Sequence, residues 1–303
     1  MRARLLLTAA VLALGAAGCG SDDDGASDAG GGLRAVATTT HAADLLANLG
    51  GERVDVHTLL TPTSDPHEYE PRPSDARAVA EAALVVRSGG DLDEWLGDVV
   101  ENAGGDAEVL TLMNRVRTRG DDPHWWQDPR NAVLAVEAIG AALAEADPEG
   151  AAEYRRSVAA YARRIESLDA DIAACMAAIP GGRRKLVTTH DSYGYFAARY
   201  DIEVVGAVIP SLSSQARPSA GDTAALVRQI REEDVAVIFP ESALDPRLER
   251  AVADEAGAEV GESLYADSLG PEGSEGDTYL GALAHDAKAL ARGFTGGARG
   301  CDL

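Results

Sequence analysis

Positive charge is scarce in this chain. Lysine and arginine number 27 against 50 aspartates and glutamates, for a net charge of -23. The deficit argues against nucleic acid and anionic lipid headgroups as partners, because both bind clustered cations. Lysine is nearly missing, present only as Lys185 and Lys288, which reads as genome composition rather than mechanism. Aromatic residues make up 5% and cysteine occurs three times. Beyond the N-terminus no apolar run is long enough to cross a bilayer. Neither a Gly-x-Ser-x-Gly elbow nor a Cys-His nucleophile pairing occurs, which removes two common hydrolase designs. What remains is ordinary for a soluble globular protein: 46% hydrophobic and 25% charged residues. A chain of 303 residues can bury one large core or two moderate ones.

The first residues address the chain for export. Arg2 and Arg4 precede an apolar run, Leu5 to Ala17, shaped like a secretory signal peptide. The run ends in Ala16-Ala17-Gly18-Cys19, which looks like a bacterial lipoprotein processing site, although Ala16 stands where such sites usually carry Leu. The expectation is a signal peptide over 1–18, lipidation of Cys19, and a tether over 19–32 rich in Asp and Gly. Asp22, Asp23 and Asp24 lack the spacing and terminal Glu of a calcium loop. In an oxidising compartment Cys175 and Cys301 can pair, but the sequence leaves that bridge open.

The body alternates strand and helix. β-rich runs begin at Leu33, Val54, Ala83, Lys185, Ile202, Val235 and Ala258, with Ala- and Glu-rich helical stretches between them. This pattern predicts an α/β fold of mostly parallel sheets flanked by helices. Tyr154, Val158, Tyr161, Ile165, Leu168, Ile172 and Ile179 recur at helical spacing. Asp147 and Pro148 suit the start of that helix, and Pro180-Gly181-Gly182 its end. About thirty residues reach about 45 Å, more than one small domain needs. The expected organisation is an N-terminal lobe over 33–147, a connector helix over 148–180 and a C-terminal lobe over 181–303.

Four segments carry the chemistry. The proline-rich TPTSDPHEYEPRPSD holds His67 on a stiff loop after a strand. DDPHWWQDPRNA places His124 just before a helix, LVTTHDSYGYF ends a strand on His190, and SLYADSLGPEGSEGDTYL sets Asp267 ahead of a Gly-rich loop. A lone histidine is usually a surface or core residue. Three of these four residues, however, follow the C-terminal ends of strands, where open α/β sheets place their sites. Three imidazoles and one carboxylate suit a borderline divalent cation, and four protein donors fill a tetrahedron, which favours holding the ion over catalysis. Such a site is expected to weaken below about pH 6, where histidine protonates.

In this order, from about Arg34 to Arg292, the four segments resemble those of the solute-binding proteins of zinc and manganese ABC importers. DPHEYEPRPSD and LYADSLGPEGSEGDTYL are the most specific matches. The resemblance implies two α/β lobes joined by one long helix, and metal ligation by His67, His124, His190 and Asp267. It also implies a membrane permease and a cytoplasmic ATPase as partners, and it fits a lipidated Cys19. Histidine as third ligand goes with zinc in that family and glutamate with manganese, so His190 tilts toward Zn2+ over Mn2+. Zn2+ also outcompetes Mn2+ at nitrogen-rich sites. Two departures stand out. Residues 68–123 contain no histidine where zinc members often carry a His-rich loop, and Gln215 and Arg217 replace acidic residues common there.

Glu241, at the end of VAVIFP, can orient a ligand histidine, while His41, His57 and His285 read as structural or surface residues. Trp125 and Trp126 wall the cleft or pack beside His124. Two rival functions differ in class. A zinc hydrolase would use Asp267 as base, but in HEYEP a proline occupies position 71, where a zinc-protease helix needs its second histidine. A surface adhesin would bind a partner without metal. The reading is therefore a monomeric, exported, lipid-anchored metal carrier and not an enzyme.

Overall fold

The computed structural model describes residues 32–303 except Thr63 and Arg299. The signal segment, Cys19 and nearly all of the tether lie outside the described residues.

Two parallel sheets are built in the same way. In the first, β1 (Leu33–Ala37), β2 (Val54–Thr58), β3 (Leu84–Arg87) and β4 (Glu108–Thr111) lie in the order β2-β1-β3-β4, all parallel. Helices α1 (Thr40–Gly50), α2 (Pro73–Glu81) and α3 (Leu96–Ala103) connect them. In the second, β5 (Lys185–His190) pairs with β6 (Glu203–Ile209), and β7 (Val237–Ile238) pairs with β8 (Glu259–Val260). A parallel bridge from Thr188 to Phe239 joins β5 to β7, giving the order β6-β5-β7-β8. The connectors here are α6 (Gly194–Tyr200), α7 (Ala220–Glu232) and α8 (Arg247–Ala256), and α9 (Tyr279–Thr295) closes the chain. Each sheet thus begins at an inner strand, steps outward once and returns past it.

Two helices unite the sheets. Asp128 accepts from Arg130 N–H and Pro129 opens α4 (Pro129–Ala146). After a short turn, α5 runs from Ala151 to Ala177, about 40 Å of helix. It is shorter at both ends than the span 148–180 read from the sequence. Asp147 does not cap it; its carboxylate is held by Arg53 and the Tyr154 hydroxyl, and Gly150 takes the cap position. The expected stripe is present: Tyr154, Tyr161, Ile165 and Ile172 are buried, Val158 and Leu168 partly so. One apolar core extends from Leu84 and Val86 of the first sheet, past α4 and α5, to Leu186 and Phe239 of the second. Cys175 near the end of α5 and Cys301 near the C-terminus form a disulfide, with their Cα atoms 5.6 Å apart.

Strand β4 carries no strong signal in the sequence. It is a four-residue edge strand with Glu108 and Val109 exposed, so nothing in its composition marks it as core.

Candidate metal centre

The four side chains come from three loops and one strand end, held by hydrogen bonds around them. His67 sits in a short helical turn, Pro66–Glu68, where Asp65 Oδ1 accepts from its backbone N–H at 2.9 Å. Behind it, Asp75 accepts from the Tyr69 hydroxyl and from Arg72 N–H, which pins the proline-rich segment. His124 precedes a turn at Trp125–Gln127, and Asp122 Oδ1 accepts from its backbone N–H at 3.0 Å. His190 is the last residue of β5. Asp267 follows β8 on a loop whose Ala266 carbonyl accepts from Trp126 Nε1 at 2.9 Å and Gln127 Nε2 at 3.3 Å.

These loops bring the sequence-predicted set together. One ligand atom from each of His67, His124, His190 and Asp267 lies within 4.8 Å of all the others. Asp267 Oδ2 is 3.3 Å from His67 Nε2 and 3.2 Å from His190 Nε2, and Oδ1 is 3.3 Å from His124 Nε2. Donors about 2.0–2.1 Å from a tetrahedral ion lie about 3.3–3.4 Å from one another. The four side chains are all at most 2% exposed, so water does not satisfy them.

The outer nitrogens explain why the inner ones point inward. His124 Nδ1 lies 2.7 Å from Asp122 Oδ1, and His190 Nδ1 lies 2.9 Å from Glu241 Oε2. A carboxylate only accepts, so each Nδ1 carries the proton and each Nε2 is left as a lone pair. Those two lone pairs face each other at 3.3 Å. Only a shared cation or an added proton makes that contact favourable. Glu241 thus orients the His190 ring, and its own backbone N–H donates to Thr189 Oγ1 to fix it there.

Charge follows the same logic. Burial opposes protonation of His124, but Asp267 and Asp122 outweigh it and its pKa rises to about 9. His190 is also raised, by Asp267 and Glu241 against the cost of burial. Burial would lift Asp267, yet the two imidazoles hold it well below the usual carboxylate range. Burial raises Glu241, with His190 opposing. Without a metal, His124 and His190 neutralise the carboxylates by holding protons. A divalent ion bound among them would displace those protons and take over their charge.

Asp122 is the partner that sequence reasoning missed. Its signal was the tripeptide Asp-Pro-His, which occurs twice, at 65–67 and at 122–124. In both copies the aspartate caps the histidine backbone; in the second it also holds the ring. The other histidines stand apart from the donors. His41 is buried, stacked on Trp126 at 4.9 Å, and desolvation pushes its pKa down to about 3, so its ring is neutral. His57 is exposed on β2, and His285 binds Glu275 and the Ser263 carbonyl. Trp126, buried, packs edge-on to His124 at 5.4 Å.

Known proteins resemble this chain in sequence and fold. Residues 35–293 match the family described as ZnuA, zinc-uptake complex component A, periplasmic. The manganese-binding lipoprotein MntA of Halalkalibacterium halodurans is 33% identical over 291 residues, covering 94% of this chain and 96% of that protein. The manganese ABC transporter substrate-binding lipoprotein PsaA of Streptococcus pneumoniae is 26% identical over 277 residues, 86% of this chain and 89% of its own. Among solved structures, the periplasmic zinc-binding protein TroA from Treponema pallidum superposes with a TM-score of 0.81 at 26% identity, covering 87% of this chain and 99% of that one. The chain belongs to the ZnuA/TroA family of metal-binding substrate-binding lipoproteins of manganese and zinc ABC transporters.

Proposed function

We propose that this protein captures Zn2+ outside the cytoplasmic membrane and hands it to the permease and ATPase of an ABC importer. His67, His124, His190 and Asp267 hold the ion, with Glu241 and Asp122 orienting two of the imidazoles. The observation that carries the reading is the spacing of 3.2–3.3 Å between Asp267 and three buried Nε2 atoms. Three nitrogens and one carboxylate in a closed tetrahedral set suit zinc better than manganese, which prefers more oxygen donors and a higher coordination number. Mn2+ is the second reading. The naming of the Halalkalibacterium relative as manganese-binding favours it, as does the lack of histidine between residues 68 and 123.

The same donor count speaks against catalysis, since a tetrahedral zinc enzyme keeps one position for water. The rest of the proposal concerns placement. Cys19 carries the lipid, residues 19–32 tether the domain, and a monomer of two lobes, 33–147 and 181–303, clamps the ion across the connector segment 148–180.

Competitive titration tests the metal assignment. Protein stripped of metal is titrated with Zn2+ and Mn2+ against chelators of known strength. One equivalent of Zn2+ bound at least a hundredfold more tightly than Mn2+ is expected. Preference for Mn2+ would transfer the assignment to the second reading.

A further inference from the structure

Two consecutive residues of α9 gather the chain segments through which the second sheet reaches the metal centre. Asp286 is buried. Its Oδ2 accepts from the Tyr193 hydroxyl at 2.7 Å, and its Oδ1 accepts from Tyr265 N–H at 2.9 Å. Tyr193 lies three residues after His190, and Tyr265 lies two residues before Asp267. One carboxylate therefore spans both ligand-bearing segments of that half.

His285 secures the same loop from its other side. Its Nε2 is 3.1 Å from the Ser263 carbonyl and its Nδ1 is 3.0 Å from the Glu275 carboxylate, while its ring packs against Tyr265 at 4.9 Å. Ser263 precedes Asp267 and Glu275 follows it, so the loop is gripped on both flanks.

A carboxylate in such a place is an expensive choice if packing is all that is needed. Burial raises the Asp286 pKa to about 6 even though Tyr265 and Tyr193 donate to it. An apolar side chain would fill the volume without desolvating a charge. What an apolar side chain lacks is two directed acceptors, set at a fixed separation.

We propose that Asp286, assisted by His285, is a positioning residue that sets the spacing between the His190 and Asp267 segments. The second half of the metal centre is then held from α9 rather than by its loops alone. This rests on the metal-carrier reading above.

The test uses the full chain and three variants: Asp286→Leu, Asp286→Asn and Tyr193→Phe. Each is titrated with Zn2+ against a chromogenic chelator and with Co2+, whose visible absorption reports ligand geometry. Asp286→Leu is expected to weaken Zn2+ binding about tenfold and to lower the tetrahedral Co2+ band. Asp286→Asn is expected to stay within about threefold of the parent, because an amide can accept from Tyr265 and donate to Tyr193. Tyr193→Phe, which removes a single oxygen, is expected to fall between them and decides the matter alone if Asp286→Leu does not fold. Parent-like affinity with an unaltered Co2+ spectrum in a folded Asp286→Leu, or in Tyr193→Phe, overturns the proposal. A parent chain that binds neither metal overturns the metal-carrier reading instead, and that result is read before any variant is compared.

Discussion

At the scale of single residues, the site is organised by where protons are allowed to sit. Asp122 and Glu241 fix the Nδ1 protons of His124 and His190 and so turn the Nε2 atoms toward Asp267 and each other. Removing a donor should cost more than removing an orienting partner. Substituting Ala for His67, His190 or Asp267 is expected to lower metal affinity more than a hundredfold by isothermal or competition titration. Asp122→Ala, which leaves all four donors in place, is expected to lower it about 10–100-fold. Equal losses in the two classes would contradict the assigned roles.

The protons also set the pH dependence, and they move it from the window expected on sequence alone. An unperturbed histidine site weakens below about pH 6. Here Asp267 and Asp122 raise His124 to about 9, against the desolvation that opposes them, and His190 is raised too. Metal must displace these protons at neutral pH, so affinity should climb as pH rises from 7 toward 9. The stability of the metal-free protein should run the other way. A raised folded pKa stabilises fully below the unfolded value, about 6.5, and that contribution is lost as pH rises through about 9. Thermal melts of the metal-free chain between pH 6 and 9 test this. A melting temperature that rises over that interval would contradict the charge balance drawn for the site.

Elements were legible in proportion to how strongly burial patterned them. The stripe on α5 and the apolar runs of β1, β3 and β5 announced themselves because each packs on a continuous core. The runs from Val235 and Ala258 also marked β7 and β8, although only two residues of each pair as strand; the edge strand β4 did not show, since it presents little buried surface to leave a pattern. The four clustered side chains were visible from their segments and from family resemblance. The Asp122 contact was legible only as the repeated Asp-Pro-His tripeptide, and the hydrogen bond from Ser214 to Asp65 left no signal, because it joins residues far apart in the chain. The shared strand order of the two sheets also left no repeat in the sequence, since packing constrains residue size and polarity more than identity. At this scale the disulfide makes a prediction. Cys175 and Cys301 are 126 positions apart, and closing a loop of that order contributes about 2–5 kcal/mol. Cys301→Ser should lower the melting temperature by about 5–10 °C in calorimetry while leaving metal stoichiometry at one. An unchanged melting temperature would show that the tail is held by other contacts.

Across the whole molecule, direct hydrogen bonds tie the two halves at the mouth of the site. Ser214 Oγ donates to Asp65 Oδ2 at 2.6 Å, Ser268 Oγ donates to the Ser64 carbonyl at 2.7 Å, and Leu269 N–H donates to Thr40 Oγ1 at 2.9 Å. Together with one core running through α4 and α5, these ties argue for limited hinge motion. The ion would then be admitted or released by the loops carrying Ser64, Ser214 and Ser268. Solution scattering should give radii of gyration for metal-free and metal-loaded protein that agree within about 1 Å, where hinged closure of whole lobes would separate them further.

The central claim is that four residues distant in sequence share one ion. Its most direct test is X-ray absorption spectroscopy of the protein loaded with one equivalent of Zn2+. The account predicts four nitrogen and oxygen neighbours at about 2.0–2.1 Å, with the outer-shell pattern of three imidazoles. That pattern should drop to two imidazoles in His124→Ala. A spectrum showing six oxygen neighbours, or one that His124→Ala leaves unaltered, would contradict it.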